Sequence, residues 1–146
     1  PSTGRRPLEG AVVAWPEGVT TAEQFEAWLP NVKGKFFLLN VPRLSCRSTG
    51  QWAEFGTPEE TDRIQKAQQD LQLAWNDLNI AMGAGRNVFL KLRDAGALGV
   101  LTHTPSNYPG IQKVFGSPNN SVIPSFAVGC EDYGLLYRLA RNNQGP

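Results

Sequence analysis

The second half of the chain places two short apolar runs beside two helical patterns. Apolar residues spaced three and four apart predict a helix over 86–95, and the run at 97–102 predicts a strand directly after it. Proline, glycine and asparagine predict a long surface loop over 103–121. A second strand over 123–128 and a helix over 131–139 complete the order. Two strands that are each packed by a helix imply a sheet with helices against it.

The first half adds two strands and a short helix. The apolar runs 11–15 and 35–41 each end before a proline and predict strands. Between them a helix is expected over 20–29, with Thr20 and Glu23 spaced as a capping box. This part therefore repeats the alternation of strand and helix.

The strongest helical signal covers residues 57–82. Thr57 is the expected N-cap and Pro58 occupies the first helical position. Apolar residues then recur at spacings of three and four, namely Ile64, Ala67, Leu71, Ala74, Trp75, Leu78 and Met82. Gly83 after this helix and Gly96 after the next one stand where left-handed caps are expected.

Length and composition predict one domain of the α+β class spanning residues 1–146. A formal net charge of +1 gives no field that would attract nucleic acid or an anionic membrane. No apolar run approaches the roughly 18 residues of a membrane span. Because the chain begins without methionine and ends after a helical run, we expect a piece of a larger protein from which a targeting signal has been removed, with one short or open sheet edge.

Two cysteines, Cys46 and Cys130, leave two interpretations open. They form one disulfide in an exported protein, or they are two half-buried thiols. Two cysteines do not define a framework, and the sequence does not give their distance.

Residues for catalysis are scarce. His103 is the only histidine, so the chain cannot supply the two histidine ligands that zinc exopeptidase chemistry needs. It also contains no Gly-x-Ser-x-Gly elbow and no phosphate-binding loop. We therefore assign no catalytic, cofactor-binding or metal-binding residue, and we expect His103 to be a solvated residue at a strand end.

An interaction surface is the remaining candidate site. His103, Tyr108 and Phe115 lie in or beside the long loop, and Trp52 lies outside the clear helical faces. These side chains could contact a peptide or protein. The alternative for the aromatic residues is that they anchor the loop from beneath.

Several local motifs together resemble a known family. Ala95-Gly96-Ala97 precedes a strand, Ile123-Pro124-Ser125 opens the next, and Gly34-Lys35 enters the strand at 35–41. This order resembles the protease-associated domain. Phe25 to Pro30, and Cys46-Arg47 followed by Trp52, resemble the form of that domain inserted in bacterial zinc aminopeptidases and carboxypeptidase-Q-like peptidases.

The resemblance implies a small open barrel or sandwich sheet flanked by helices. Family members usually have a short turn where this chain has residues 43–85, so a helical insertion is expected at about 52–83.

The resemblance also implies a function. It indicates a non-catalytic accessory domain of an exported zinc exopeptidase, located in the periplasm, at the cell surface or outside the cell. Its partners would be the parent catalytic domain, which alone holds zinc, and a peptide or protein substrate. Two alternatives remain, namely a ligand-binding or sorting module outside a peptidase and a small hydrolase that uses His103.

Overall fold

The computed structural model describes residues 7–83, 86–104 and 122–144. Across these residues the chain is α+β, as predicted, with four strands and five helices. In chain order they are β1 (Val12–Val13), α1 (Ala22–Trp28), β2 (Phe36–Leu38), α2 (Thr49–Phe55), α3 (Pro58–Met82), α4 (Arg86–Asp94), β3 (Gly99–Thr102), β4 (Ser125–Ala127) and α5 (Cys130–Arg141). A short 3-10 helix, Leu29–Val32, follows α1.

The four strands form one parallel sheet in the order β1-β2-β3-β4. Each strand therefore pairs with the next one along the chain, and all four carboxyl ends lie at the same edge of the sheet. The outer strands are short, with two residues in β1 and three in β4. A short edge was expected, whereas the origin of the chain as a piece of a larger protein stays a prediction.

Alternate residues of the strands face two different cores. Phe37 of β2 and Val100 of β3 are paired neighbours and belong to the larger core. Leu38 and Leu101, one residue further along, pack on the opposite face against α5 and its Tyr133. This is the period of two expected for a strand that is covered on both faces.

The larger core joins α1, α4 and the end of α3 to the sheet. Its buried side chains are Trp15, Phe25, Leu29, Val32, Phe37, Leu39, Leu78, Met82, Val88, Phe89, Leu92, Val100 and Ile123. Burial of each such side chain contributes roughly 1.5–3 kcal/mol before the loss of conformational entropy is counted. The buried residues of α3 all lie in its last turns, at Leu78, Ala81 and Met82.

Most helix ends follow their local sequence signals. Thr57 caps α3 by accepting the backbone N–H of Glu60, and Pro58 stands first in the helix. Gly83 and Gly96 adopt left-handed φ values of 73° and 84°, as predicted, which costs glycine little because it has no Cβ.

Two local expectations were wrong. The box at the start of α1 uses Thr21 and Gln24, one residue later than the expected Thr20 and Glu23. In this register the Gln24 side-chain oxygen accepts the backbone N–H groups of both Thr20 and Thr21, at 2.9 and 3.2 Å. The sequence analysis also missed α2, whose box consists of Ser48 and Gln51.

Candidate functional site

Three segments meet at the carboxyl edge of the sheet. Residues 39–48 follow β2, His103 follows β3, and Gly129 and Cys130 follow β4. A disulfide joins Cys46 to Cys130, with 5.8 Å between the Cα atoms. The structure thus decides between the two interpretations of the cysteines, in favour of the bond.

His103 is buried, so the prediction of a solvated side chain was wrong. Only 4% of the residue is exposed, because the segment after β2 and the ring of Tyr133, 4.5 Å away between centroids, cover the end of β3. Its backbone N–H donates to Asn40 Oδ1 at 3.1 Å, and its Nε2 lies 2.7 Å from the carbonyl oxygen of Val41. The imidazole therefore carries its proton on Nε2, while Nδ1 has no partner.

The electrostatic surroundings of His103 keep it neutral. Burial lowers the pKa of the imidazole, and the positive charge of Arg43 lowers it further, while the bond to Val41 acts in the opposite direction. A neutral ring held by a backbone carbonyl fixes the position of the loop, and it offers little surface to a partner.

Tyr133 holds Asn40, the second residue after β2, from the other side of the sheet. Its hydroxyl donates to the carbonyl oxygen of Asn40 at 2.7 Å and accepts the backbone N–H of Asn40 at 2.8 Å. Burial raises the pKa of this phenol well above its ordinary value, so the side chain stays protonated. One hydroxyl thus satisfies both backbone groups of Asn40.

The helix α3 holds the same loop through side chains. Gln68 donates to the carbonyl oxygen of Pro42 at 3.2 Å and accepts the backbone N–H of Leu44 at 3.0 Å. Trp75 Nε1 donates to the carbonyl oxygen of Leu39 at 2.9 Å. The loop is therefore fixed by hydrogen bonds on one side and by the disulfide on the other.

Trp52 belongs to the same assembly. It lies half-buried in α2 and donates from Nε1 to Ser45 Oγ at 2.8 Å. The other two predicted surface residues, Tyr108 and Phe115, lie outside the described residues. Trp52 and His103 are both next to the loop after β2, although they line different hollows.

We call residues 43–47, which join β2 to α2, the arginine loop. Hollows of about 440, 300 and 640 Å³ surround it, and Arg43 lines all three. Arg47 lines the first and the third, and Arg138 of α5 also lines the third. Within the described part of the chain, no carboxylate forms an ion pair with these three arginines.

Sequence reasoning named Arg47 only as part of the Cys46-Arg47 motif, and it did not single out Arg43 or Arg138. The signal for Arg43 and Arg47 was positional, because both lie within three residues of Cys46 in the segment between β2 and α2. The approach of Arg138 to the loop depends on α5 being bonded to Cys46.

Two searches concern other kinds of site. Over residues 7–83, 86–104 and 122–144, no group of three or more histidine, cysteine, aspartate or glutamate side chains is placed to hold a metal ion. In the same ranges, no helix has the length and apolar character needed to cross a bilayer.

Comparison with known proteins adds no relative. No protein-family model matches the chain, and neither the curated proteins nor the solved structures contain a match to it.

Proposed function

We propose that this chain is a non-catalytic accessory domain of the protease-associated type, which borders the active site of an exported zinc exopeptidase and influences which substrates enter. The observation that carries the proposal is the arginine loop. It is a segment held by hydrogen bonds and a disulfide at the carboxyl edge of a parallel sheet, and its guanidinium groups are left unpaired by the described carboxylates.

The polar groups near the loop support a binding role over a catalytic one. The Nε2 of His103, the hydroxyl of Tyr133 and the amide of Gln68 each bond to backbone atoms of the segment after β2. Groups used in this way position a loop. A general base, in contrast, must be within reach of the proton that it removes from a substrate.

The order of elements also agrees with the expected family. The helix α4, the strand β3, the strand β4 and the helix α5 follow one another as the resemblance requires, and Gly96 ends α4 in the left-handed region. The helices α2 and α3 occupy the place of the expected insertion. The expected barrel or sandwich stays a prediction, since the described strands form one four-stranded parallel sheet.

The test uses the full-length parent enzyme. Residues 7–144 are replaced by a short glycine-serine linker, and kcat/KM is measured on short peptides and on a folded protein substrate. We expect the ratio of the two values to change, while the zinc content per molecule, measured by atomic emission, stays the same. The proposal would be contradicted if the deletion left kcat/KM unchanged on both substrates, or if it caused loss of zinc.

A second candidate is a ligand-binding or sorting module outside a peptidase, and the same unpaired arginines favour it. The sequence that flanks this chain in its gene separates the two functions. Paired histidine and carboxylate ligands in the flanking sequence support the peptidase, whereas a membrane-spanning segment supports the sorting module.

A further inference from the structure

We propose that the 640 Å³ hollow beside the arginine loop binds the carboxylate of a peptide. This inference deepens the proposed function, because it names the chemistry that the loop recognises. The hollow lies between the loop and the first turns of α5, and the disulfide forms part of its wall. Its volume falls within the range of about 300–1,000 Å³ that is typical of ligand pockets.

The charges that line the hollow favour an anion. Three arginines, Arg43, Arg47 and Arg138, line the hollow, whereas Glu131 is the single acidic residue among its lining residues. Arg138 lies against Gly134, where a Cβ would come within 3.3 Å of its Nη1, so the absence of a side chain there leaves room for the guanidinium. A guanidinium matches the two oxygens of a carboxylate with two parallel hydrogen bonds.

The hollow is also preorganised. Gln68 bonds to backbone groups on the amino-terminal side of the loop, Trp52 donates to Ser45, and Cys46 is bonded to Cys130. Little backbone ordering is then needed when a ligand arrives, which lowers the entropic cost of binding. This distinguishes Arg43 and Arg47 from arginines on a freely moving surface segment.

Glu131 offsets part of the positive charge of the hollow, because it is the only carboxylate among the lining residues. Three guanidinium groups against one carboxylate still leave a net positive charge, which attracts an anion. We choose a peptide carboxylate over a phosphate group because the proposed function supplies peptides as ligands. The carboxylate has two sources, the carboxyl terminus of a peptide and the side chain of an acidic residue within it.

The experiment measures binding of three fluorescent pentapeptides to the purified, oxidised chain by anisotropy. The first is uncharged except for a free carboxyl terminus, the second is its carboxyl-terminal amide, and the third is the amide with one internal glutamate. We expect saturable binding of the first or the third peptide, no binding of the second, and weakening when ionic strength rises from about 0.05 to 0.5 M. The peptide that binds identifies the source of the carboxylate.

Substitutions of the lining arginines test whether the peptide binds in the hollow. Arg43→Gln and Arg47→Gln should each weaken binding about ten- to a hundredfold, the effect of losing one charge-assisted hydrogen bond. Arg63→Gln is the matched control, because it removes the same charge from α3 at an exposed position that does not line the hollow. Arg47 is itself exposed, so its variant should fold even if Arg43→Gln does not.

The single histidine supplies a second readout. Because Arg43 lowers the pKa of His103, a carboxylate bound at Arg43 should raise that pKa, which can be followed by NMR titration of the imidazole. A fourth pentapeptide, the amide with one internal phosphoserine, tests the other anion. Binding that is equal for the unmodified amide, equal in all variants, or at least tenfold tighter for the phosphoserine peptide would overturn the carboxylate site. The deletion experiment in the parent enzyme has an independent readout, so each proposal can fail without the other.

Discussion

Two regions of the molecule are held in different ways. The first is the sheet with its covering helices, which we call the sheet region. The second is the helical arm, which comprises α2 and residues 58–74 of α3. The sheet region is held by apolar burial on both faces. The arm is held by hydrogen bonds, such as those of Gln68 to the segment after β2 and that of Thr61 Oγ1 to the carbonyl of Trp52. One helix, α3, belongs to both regions, since its buried residues begin only at Leu78.

This difference indicates that stability and site geometry have separate sources. Removing apolar side chains from the sheet should destabilise the whole domain, because both cores share the strands of one sheet and small domains usually unfold cooperatively. Removing the polar contacts of the arm should loosen the arginine loop while the sheet persists. The binding loop can thus be altered by mutation with modest loss of global stability.

The largest effect is expected for Phe37→Ala. Phe37 is 0% exposed at the centre of the sheet, so the variant loses about 3–5 kcal/mol of unfolding free energy through lost burial and a cavity. Urea denaturation followed by circular dichroism measures this loss. A loss below about 1 kcal/mol would show that the sheet region does not depend on apolar burial.

Removal of the disulfide comes next. The double variant Cys46→Ser/Cys130→Ser should lose about 2–4 kcal/mol, because the bond closes a long loop of 84 residues in the unfolded chain. The same denaturation experiment measures this value. Reduction of the unmutated chain with dithiothreitol is the matched control and should give the same loss.

Tyr133→Phe tests the hydrogen bonds between the Tyr133 hydroxyl of α5 and the backbone of Asn40, which follows β2. The hydroxyl serves both the N–H and the carbonyl of Asn40, so its removal leaves buried polar groups unpaired and should cost about 1–3 kcal/mol. Amide exchange at Asn40 should also become faster. Unchanged exchange would mean that the bonds from α3 and His103 and the disulfide hold the segment after β2 without Tyr133.

The next prediction concerns pH. The pKa of His103 lies below its ordinary value of 6.5 in the folded protein, so as pH falls below about 6.5 the unfolded chain binds the proton first. The lowered pKa of His103 therefore contributes to the free energy of unfolding. This contribution is complete above that pH and is lost as pH falls, by at most about 1.4 kcal/mol per pH unit. Urea denaturation at pH 7 and pH 5 measures the decline in the free energy of unfolding between the two pH values. This decline should be smaller for His103→Gln than for the unmutated chain. Equal declines would contradict the prediction.

The smallest effects belong to the arm. Gln68→Ala should cost about 0.5–1.5 kcal/mol and should increase hydrogen exchange at Leu44, whose N–H the side chain accepts. Leu73→Ala is the control on the same helix, since Leu73 is 63% exposed and its loss should stay within about 0.5 kcal/mol. If Gln68→Ala instead unfolds the domain, the separation of the two regions is wrong.

Local signals in the sequence were sufficient for much of the fold. Thr57 and Pro58 at the start of α3, and Gly83 and Gly96 at helix ends, act through their own backbone and nearest neighbours. The strands were placed correctly but predicted too long, because apolar residues continue beyond the paired residues at one or both ends of each strand. The short helix α2 escaped notice, although Ser48 and Gln51 have the spacing of a capping box.

The site was less accessible to sequence reasoning because it is made by distant contacts. His103 is buried by Tyr133 and by Val41, which is 62 residues away along the chain. The meeting of Cys46 with Cys130 depends on the parallel order of the sheet, which brings the ends of β2 and β4 to one edge. No local pattern encodes either distance, so the sequence could indicate a histidine and two cysteines without their environment.

The disulfide between Cys46 and Cys130 affects the outcome of proteolysis. It encloses α2, α3, α4 and two strands within one covalent ring. A single cut inside that ring, for example beside Phe55, which is 72% exposed between two helices, leaves both fragments tethered. In gel electrophoresis, a molecule cut once would therefore migrate as an intact chain until the disulfide is reduced. Its two fragments would stay joined and could pack together again.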